Sequence, residues 1–105
     1  MNQIVLIYTT LHDQKTGQMV AQRLLEKKLI ACANIFPPHI AVYEWDGNIV
    51  DDAEVAVIFK TSKAKQQECM AAIAELHHNE CPAIVALESS DTNKPFFDWV
   101  NSQSS

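Results

Sequence analysis

The chain has 105 residues, of which 48% are hydrophobic, and this is enough for one compact domain, 1–105, with a single core. Eight basic residues against thirteen acidic ones give a net charge of −5, which argues against a partner such as nucleic acid or an anionic membrane. The three cysteines, Cys32, Cys69 and Cys81, are an odd number without CxxC spacing, so we expect reduced thiols and a cytoplasmic location.

The first predicted element is a strand over residues 3–9, where QIVLIYT is a short apolar run rich in β-branched residues. This run is much shorter than the roughly 20 apolar residues of a membrane-spanning helix, and no basic residue precedes it as in a signal peptide. A helix over 16–30 follows, because apolar residues recur there at helical spacing and Asp13 can cap the first turn. The chain is therefore expected to begin with a buried strand and an amphipathic helix.

Two extended segments, 31–45 and 49–61, form the next predicted unit, a long β-hairpin. The sequence DGN at 46–48 joins them, and Asp-Gly between alternating strands is a strong hairpin signal. The prolines at 37–38 remove two backbone donors from the first arm, which predicts a sheet edge with a bulge or bend. The second arm alternates apolar and polar residues and is predicted to lie at the centre of the sheet, with one face formed by Val55, Val57 and Phe59.

The remaining elements are a helix over 63–78 capped by Ser62, a strand over 83–88 and a short helix over 91–100. The order βαββαβα contains two strand-helix-strand units, which close into a four-stranded antiparallel sheet with both long helices on one face. The predicted fold class is therefore α+β, a ferredoxin-like βαββαβ sandwich with a long hairpin and a short C-terminal helix.

The length of the hairpin predicts an oligomer. Each arm has about 12 residues, against five or six in a usual strand, so the hairpin extends beyond its own sheet. An extension that carries Tyr43 and Trp45 and has open edge hydrogen bonds promotes aggregation unless another chain pairs with it. A symmetric neighbour is the simplest partner.

Four stretches, LIACANIFP, YEWDGNI, EVAVIFKT and FFDWV, resemble the CutA family of divalent-cation tolerance proteins across nearly the whole chain. The resemblance implies a small cytosolic ferredoxin-like protein that forms a tight homotrimer through its long hairpin strands, with structural kinship to the trimeric PII signalling proteins. It also implies an association with copper and other divalent cations, without a required cofactor or a known enzymatic reaction.

Four positions depart from the family pattern. Thr9 stands where copper-associated bacterial relatives have a cysteine, and the histidine pair of those relatives aligns with Leu76 and His77. Asn79 and Ala83 stand where many relatives have tyrosine and glutamate.

The stretch HHNEC at 77–81 is the candidate metal site. On a helix that continues to His78, the two histidines lie at its C-terminal end, where the macrodipole favours them, and their side chains point about 100° apart. Such a pair does not readily share an ion. We interpret the segment chiefly as a helix terminus and predict weak binding, best for copper(II), by His77 with Cys81 or with a group from another subunit.

The candidate ligand cleft rests on the resemblance, which directs attention to Lys60, Trp45 and Glu54 in the matching stretches, near hairpin ends of neighbouring subunits. Lys60 can neutralise an anion there, or simply be a solvated strand end. Three functions remain open: a trimer in cation homeostasis, a PII-like trimer that binds a small ligand in intersubunit clefts, and an enzyme that uses Lys60 with Glu54 or His77. We expect no enzymatic activity, because no G-x-S-x-G, P-loop or H-E-x-x-H motif is present.

Overall fold

The order of elements along the chain matches the predicted βαββαβα pattern. The structure is a computed structural model that describes residues 1–105. Its elements are β1 (Ile4–Leu11), α1 (Gln14–Glu26), β2 (Cys32–Trp45), β3 (Asn48–Ser62), α2 (Gln66–Leu76), β4 (Ile84–Glu88) and α3 (Lys94–Gln103), with one 3-10 turn, Lys63–Lys65, before α2. None of the helices is both long and apolar enough to cross a bilayer.

The four strands form one antiparallel sheet in the order β2-β3-β1-β4. The first hairpin arm, β2, lies at an edge, and the pairing with β3 shifts register between Ile35 and Pro38. Both the edge position and the irregularity at the prolines are therefore confirmed. The second arm, β3, lies between β2 and β1, as its alternating pattern predicts.

The main core lies between the sheet and helices α1 and α2. Asp13 caps α1 as predicted, because its Oδ1 accepts a 2.7 Å hydrogen bond from the backbone N–H of Thr16. Gly17 lets α1 approach β3 closely, since a Cβ there would lie 3.3 Å from a methyl of Val57. The strands contribute alternate residues to this face, all essentially inaccessible to solvent: Val5, Ile7, Val55, Val57 and Phe59.

The opposite face of the sheet is only partly covered. Helix α3 packs on one end of it, where Val100 forms a small cluster with Ile4 and Ala31. Towards β4 the same face is open, and Val85 and Leu87 are exposed there. The sheet therefore has one face buried by two helices and one face that is largely apolar and accessible.

All three helices differ in their bounds from the predicted ranges, and α3 spans Lys94–Gln103 rather than 91–100. Ser62 does not cap α2, because its hydroxyl instead donates a 2.8 Å hydrogen bond to the carbonyl oxygen of Ser104, and a 3-10 turn separates it from the helix. The helix predicted over 16–30 ends at Glu26, where Lys28 adopts a left-handed conformation with φ of 60°. The amide of Leu29 then donates to the carbonyl of Leu24, which completes a Schellman-type helix end.

The hairpin extends beyond the sheet, as its length predicts. β1 pairs with β3 only from Val55 to Ser62, so residues 39–54 pair with one another alone, and we call them the overhang. Asp46 and Gly47 both have positive φ, 53° and 79°, which is the conformation of a type I′ turn. The overhang exposes large apolar side chains on the helix side of the sheet, with 73% of Ile40, 69% of Val42 and 81% of Ile49 accessible.

Candidate functional site

An open cleft of about 800 Å³ lies between the overhang and the chain that leads from α2 to β4. We call residues 77–83 the connecting segment. Three parts of the fold line the cleft: the end of β1 with Thr10, Leu11 and His12, the overhang with Ala41, Tyr43, Trp45 and residues 50–54, and the connecting segment with residues 78–81 and Ala83. The cleft therefore brings together residues that are far apart in sequence.

Strand β1 holds both ends of the connecting segment. Nε2 of His77 lies 2.8 Å from the carbonyl oxygen of Thr10, and Nδ1 of the same ring accepts a 3.1 Å hydrogen bond from the backbone N–H of Asn79. At the other end, the hydroxyl of Thr9 donates a 2.7 Å hydrogen bond to the carbonyl oxygen of Ala83. Because Nδ1 accepts, Nε2 must carry the proton, and His77 is the neutral Nε2–H tautomer in this arrangement.

The two hydrogen bonds of His77 bear on the predicted metal site. With one nitrogen donating and the other accepting, the ring has no free lone pair for a metal ion. Cys81 is an exposed free thiol and lines the cleft, whereas His77 does not line it. The assignment of a metal to His77 and Cys81 stays a prediction, and it requires His77 to release a bond to β1 or to Asn79.

The expectation that His77 and His78 diverge is wrong. Their rings stack, with centroids 4.9 Å apart and an angle of 22° between the planes. The cause is the end of α2 at Leu76: His77 is the C-cap residue with ψ of 140°, so neither histidine follows helical geometry. The interpretation of the segment as a helix terminus is confirmed, but the helix ends two residues earlier than predicted.

His78 makes a second aromatic contact that the sequence analysis missed. Its ring meets the ring of His12 edge to face, with centroids 4.1 Å apart and an angle of 66° between the planes. Partial desolvation, followed by the nearby His12 and His77, lowers the pKa of His78 below its ordinary value. The lowered pKa favours the neutral form of the His78 ring. Only the topology predicts this contact. Because β1 and β4 are antiparallel neighbours, the end of β1 near His12 lies beside the start of β4, which the connecting segment precedes.

The three residues of the predicted ligand cleft do not meet within one chain. Trp45 and Glu54 both line the cleft, and Oε1 of Glu54 lies 3.1 Å from Nε2 of its cross-strand neighbour His39. Lys60 lies outside the cleft, with its ammonium group 5.4 Å from the centre of the Phe96 ring. The cross-strand partner of Trp45 is Asn48, beside the hairpin turn. Asn48 and Lys60 are 12 positions apart in β3, which is roughly 40 Å at about 3.3 Å per residue.

The charge of the cleft is negative. Asp51, Asp52, Glu54 and Glu80 contribute carboxylates to its lining, and no lysine or arginine lines it. A concave surface of one charge attracts small ions of the opposite charge, so this cleft favours cations over anions. No three side chains of histidine, cysteine, aspartate or glutamate converge as a preformed metal cage.

Comparison with known proteins gives one family. Residues 5–103 match the family described as CutA1 divalent ion tolerance protein. The chain is 37% identical over 97 residues to the divalent-cation tolerance protein CutA of Pyrococcus horikoshii, covering 92% of this chain and 94% of that protein.

Solved structures agree with this match. The crystal structure of the divalent ion tolerance protein CutA1 from Ehrlichia chaffeensis superposes with a TM-score of 0.94 at 36% identity, over 97% of this chain and 95% of that one. The periplasmic divalent cation tolerance protein CutA from Archaeoglobus fulgidus superposes with a TM-score of 0.92 at 34% identity, over 97% and 99% of the two chains. On sequence and structure together, this chain belongs to the CutA1 divalent ion tolerance family.

Proposed function

We propose that this protein acts in tolerance to divalent cations, copper among them, as a homotrimer and without catalysing a reaction. Membership of the family supports the role in cation tolerance. The single observation that supports assembly is the overhang, which exposes Ile40, Val42 and Ile49 and has no partner within its own chain. Exposed apolar strands with open edges require a partner to stay soluble.

The distribution of exposed apolar residues favours a closed ring over a two-fold dimer. One patch is the overhang, and a second is the open sheet face at β4, where Val85 and Leu87 are accessible. A two-fold interface uses one patch twice, whereas a ring joins two different patches on each chain. The resemblance of the hairpin stretches to CutA proteins supports a ring of three.

The test of assembly is sedimentation equilibrium of the purified protein at micromolar concentration. We expect a particle with the mass of roughly three chains of 11.8 kDa. A stable monomer with intact secondary structure would contradict the proposal, and so would a stable dimer.

Assembly also offers a way to complete the predicted ligand cleft. The hairpin ends of one subunit can approach Lys60 of a neighbour, although Trp45 and Lys60 of one chain lie far apart. We therefore keep Lys60, Trp45 and Glu54 as a proposed intersubunit site. In a thermal-shift screen of small metabolites, Lys60→Ala should abolish any ligand-induced shift and leave the trimer intact. A shift that survives this substitution would remove Lys60 from the site.

The relatives described above are CutA proteins, so they lend no support to the PII-like alternative. Direct association with copper is supported by the negative charge of the cleft and by the exposed imidazoles of His12 and His78 that line it. The test is growth in graded copper of a host that lacks its own copy of the gene, with and without this chain. Equal growth in both cultures would contradict a role in copper tolerance.

The proposed location is the cytoplasm. The support is chemical, because three free cysteines, one of them the exposed Cys81, suit a reducing compartment. The relative from Archaeoglobus fulgidus is described as periplasmic, so the location needs its own measurement. Cell fractionation with marker proteins provides it, and recovery in the periplasmic fraction would overturn this part of the proposal.

A further inference from the structure

The overhang presents aromatic and acidic side chains together on its cleft side. Tyr43 and Trp45 of β2 and Asp52 and Glu54 of β3 all line the cleft. In the register of the hairpin Ala41 lies opposite Asp52, so Tyr43 is a diagonal neighbour of Asp52 on the same face. One wall of the cleft therefore combines two aromatic rings with two carboxylates.

The carboxylates of the cleft have no lysine or arginine partner. Asp52 and Glu80 form no ion pair, and Glu54 contacts His39 through Oε1 alone. Glu80 belongs to the connecting segment, on the side of the cleft opposite the overhang. A cationic ligand would therefore find unneutralised carboxylates on both sides of the cleft.

The arrangement of these groups suits an extended organic cation better than a single metal ion. Asp52 and Glu54 are two positions apart on one face of β3, which is roughly 7 Å at about 3.3 Å per residue. No three acidic, histidine or cysteine side chains converge on one point, as a metal ion requires. Aromatic faces such as that of Tyr43 attract organic ammonium groups through the ring quadrupole and also pack against methylene groups.

We propose that the cleft binds a linear organic diamine or polyamine, with ammonium groups at Asp52 and Glu54 and the aliphatic chain against Tyr43. A longer polyamine also reaches Glu80 on the opposite side. The cleft volume of about 800 Å³ lies within the range of small-molecule sites. The inference goes beyond the proposed function, because the ligand is an organic cation and its binding requires no metal.

The test is calorimetric titration of putrescine, a diamine with a four-carbon chain, into the assembled tag-free protein at low ionic strength. We expect saturable binding that is about ten-fold weaker or more in Asp52→Asn, which removes a charge and keeps the shape, and in Tyr43→Leu, which removes the aromatic face. The matched control is Glu44→Gln. It removes one negative charge from the overhang on its helix side, outside the cleft, and should leave the affinity unchanged.

Two comparison ligands separate a shaped site from general attraction of positive charge. Magnesium has the charge of putrescine without an aliphatic chain, and butylamine has the chain with a single charge. Both should bind more weakly than putrescine. Equal affinity for magnesium and putrescine would overturn the proposal, because charge alone would then account for the binding.

Tryptophan fluorescence gives a second readout. The chain has two tryptophans, so in a Trp99→Phe background the emission comes from Trp45 alone. Putrescine should change this emission over the concentration range in which calorimetry detects binding. Circular dichroism and sedimentation of each variant show that fold and assembly are kept.

Three results would overturn the proposal. They are full affinity in both Asp52→Asn and Tyr43→Leu, no binding by the folded wild type, and binding that appears only in Lys60→Ala. The last result would mean that the lysine of a neighbouring subunit occupies the cleft. Sedimentation keeps the claims apart, since a trimer that binds no diamine leaves the proposed assembly intact.

Discussion

The hydroxyl of Thr9 donates a hydrogen bond to the carbonyl oxygen of Ala83, and the two atoms lie 2.7 Å apart. The next residue along β1, Thr10, accepts a bond from His77 through its own carbonyl. Two consecutive residues of a central strand therefore fix both ends of the connecting segment. The shape of the cleft wall depends on β1 more than on the end of α2.

Replacement of Thr9 by valine tests this dependence. Thr9→Val keeps the shape of the side chain but removes the donor, so the carbonyl of Ala83 loses its partner in a part-buried position. We expect a loss of about 1–3 kcal/mol in the free energy of unfolding, measured by urea denaturation. The matched control is Thr61→Val, which removes an equally short bond to the carbonyl of Leu29. Only the Thr9 variant should shift the amide signals of residues 78–81, and equal shifts in both would contradict the proposed clamp.

Replacement of His77 by alanine tests the other end of the segment. His77→Ala removes the bonds to Thr10 and Asn79 and the stacking partner of His78. We expect faster hydrogen exchange at the amides of residues 79–81 and a loss of stability of about 1–3 kcal/mol. In His39→Ala, exchange in this segment should stay at the wild-type rate. Unchanged exchange in His77→Ala would show that this side chain does not hold the segment.

A charge at Val42 should weaken assembly without unfolding the subunit. Val42 and Val57 lie on the same face of the hairpin. The structure separates them, because Val42 is exposed whereas Val57 is fully buried under α1. We expect Val42→Lys to lower the sedimenting mass with an unchanged circular dichroism spectrum, and Val57→Lys to abolish folding. Wild-type mass in Val42→Lys would place the interface elsewhere.

The three thiols should react in the order of their exposure. Cys81 is exposed, Cys32 is half-buried, and burial raises the pKa of Cys69 to about 12. With Ellman's reagent at pH 8 we expect Cys81 to react first and Cys69 only on unfolding, because the thiolate is the reactive form. Because the pKa is raised in the folded state, the contribution of Cys69 to the free energy of unfolding depends on pH. It is fully present below pH 9, the ordinary pKa of a thiol, and is lost as the pH rises towards 12. Early labelling of Cys69, identified by mass spectrometry, would contradict its place in the core.

The hairpin turn should tolerate asparagine better than alanine. Gly47 has φ of 79°, and no atom would crowd an added Cβ, so the cost of Gly47→Ala is purely conformational. We expect a loss of about 1–2 kcal/mol for Gly47→Ala and about half of that or less for Gly47→Asn. Thermal unfolding at fixed protein concentration measures both. Equal stability of the two variants would argue against a left-handed conformation at this position.

Local patterns in the sequence predicted most of the fold. The DGN turn, the Asp13 cap and the alternation through Val55, Val57 and Phe59 each reflect forces that act within a few residues, and the structure confirms them. The end of α2 was predicted two residues too late. The last apolar residue of its pattern is Leu76, where the helix ends, and the ring of His77 bonds to the carbonyl of Thr10, which is distant in sequence.

The candidate site was harder to predict for the same reason. His12 and His78 are 66 positions apart in the sequence, so no local spacing pattern predicts that they meet. Their contact follows only from the pairing of β1 with β4. The resemblance directed attention to Trp45, Glu54 and Lys60, and Trp45 and Glu54 line the cleft. The distance from Trp45 to Lys60 depends on how far the hairpin extends beyond the sheet, which the sequence motifs do not specify.

The irregular pairing between Ile35 and Pro38 adds one residue to β2 relative to β3. Ile35 and Pro38 face the same side although three positions separate them, so one extra residue reverses the alternation for the rest of the strand. Ala41, Tyr43 and Trp45 point to the cleft, while Ile40 and Val42 point to the helix side. The turn at Asp46 and Gly47 fixes how residues 39–45 pair with 48–54, so deletion of a single proline would remove the extra residue and leave both sets on their present faces. Without the bulge the strand would straighten, and the aromatic wall would still face the cleft.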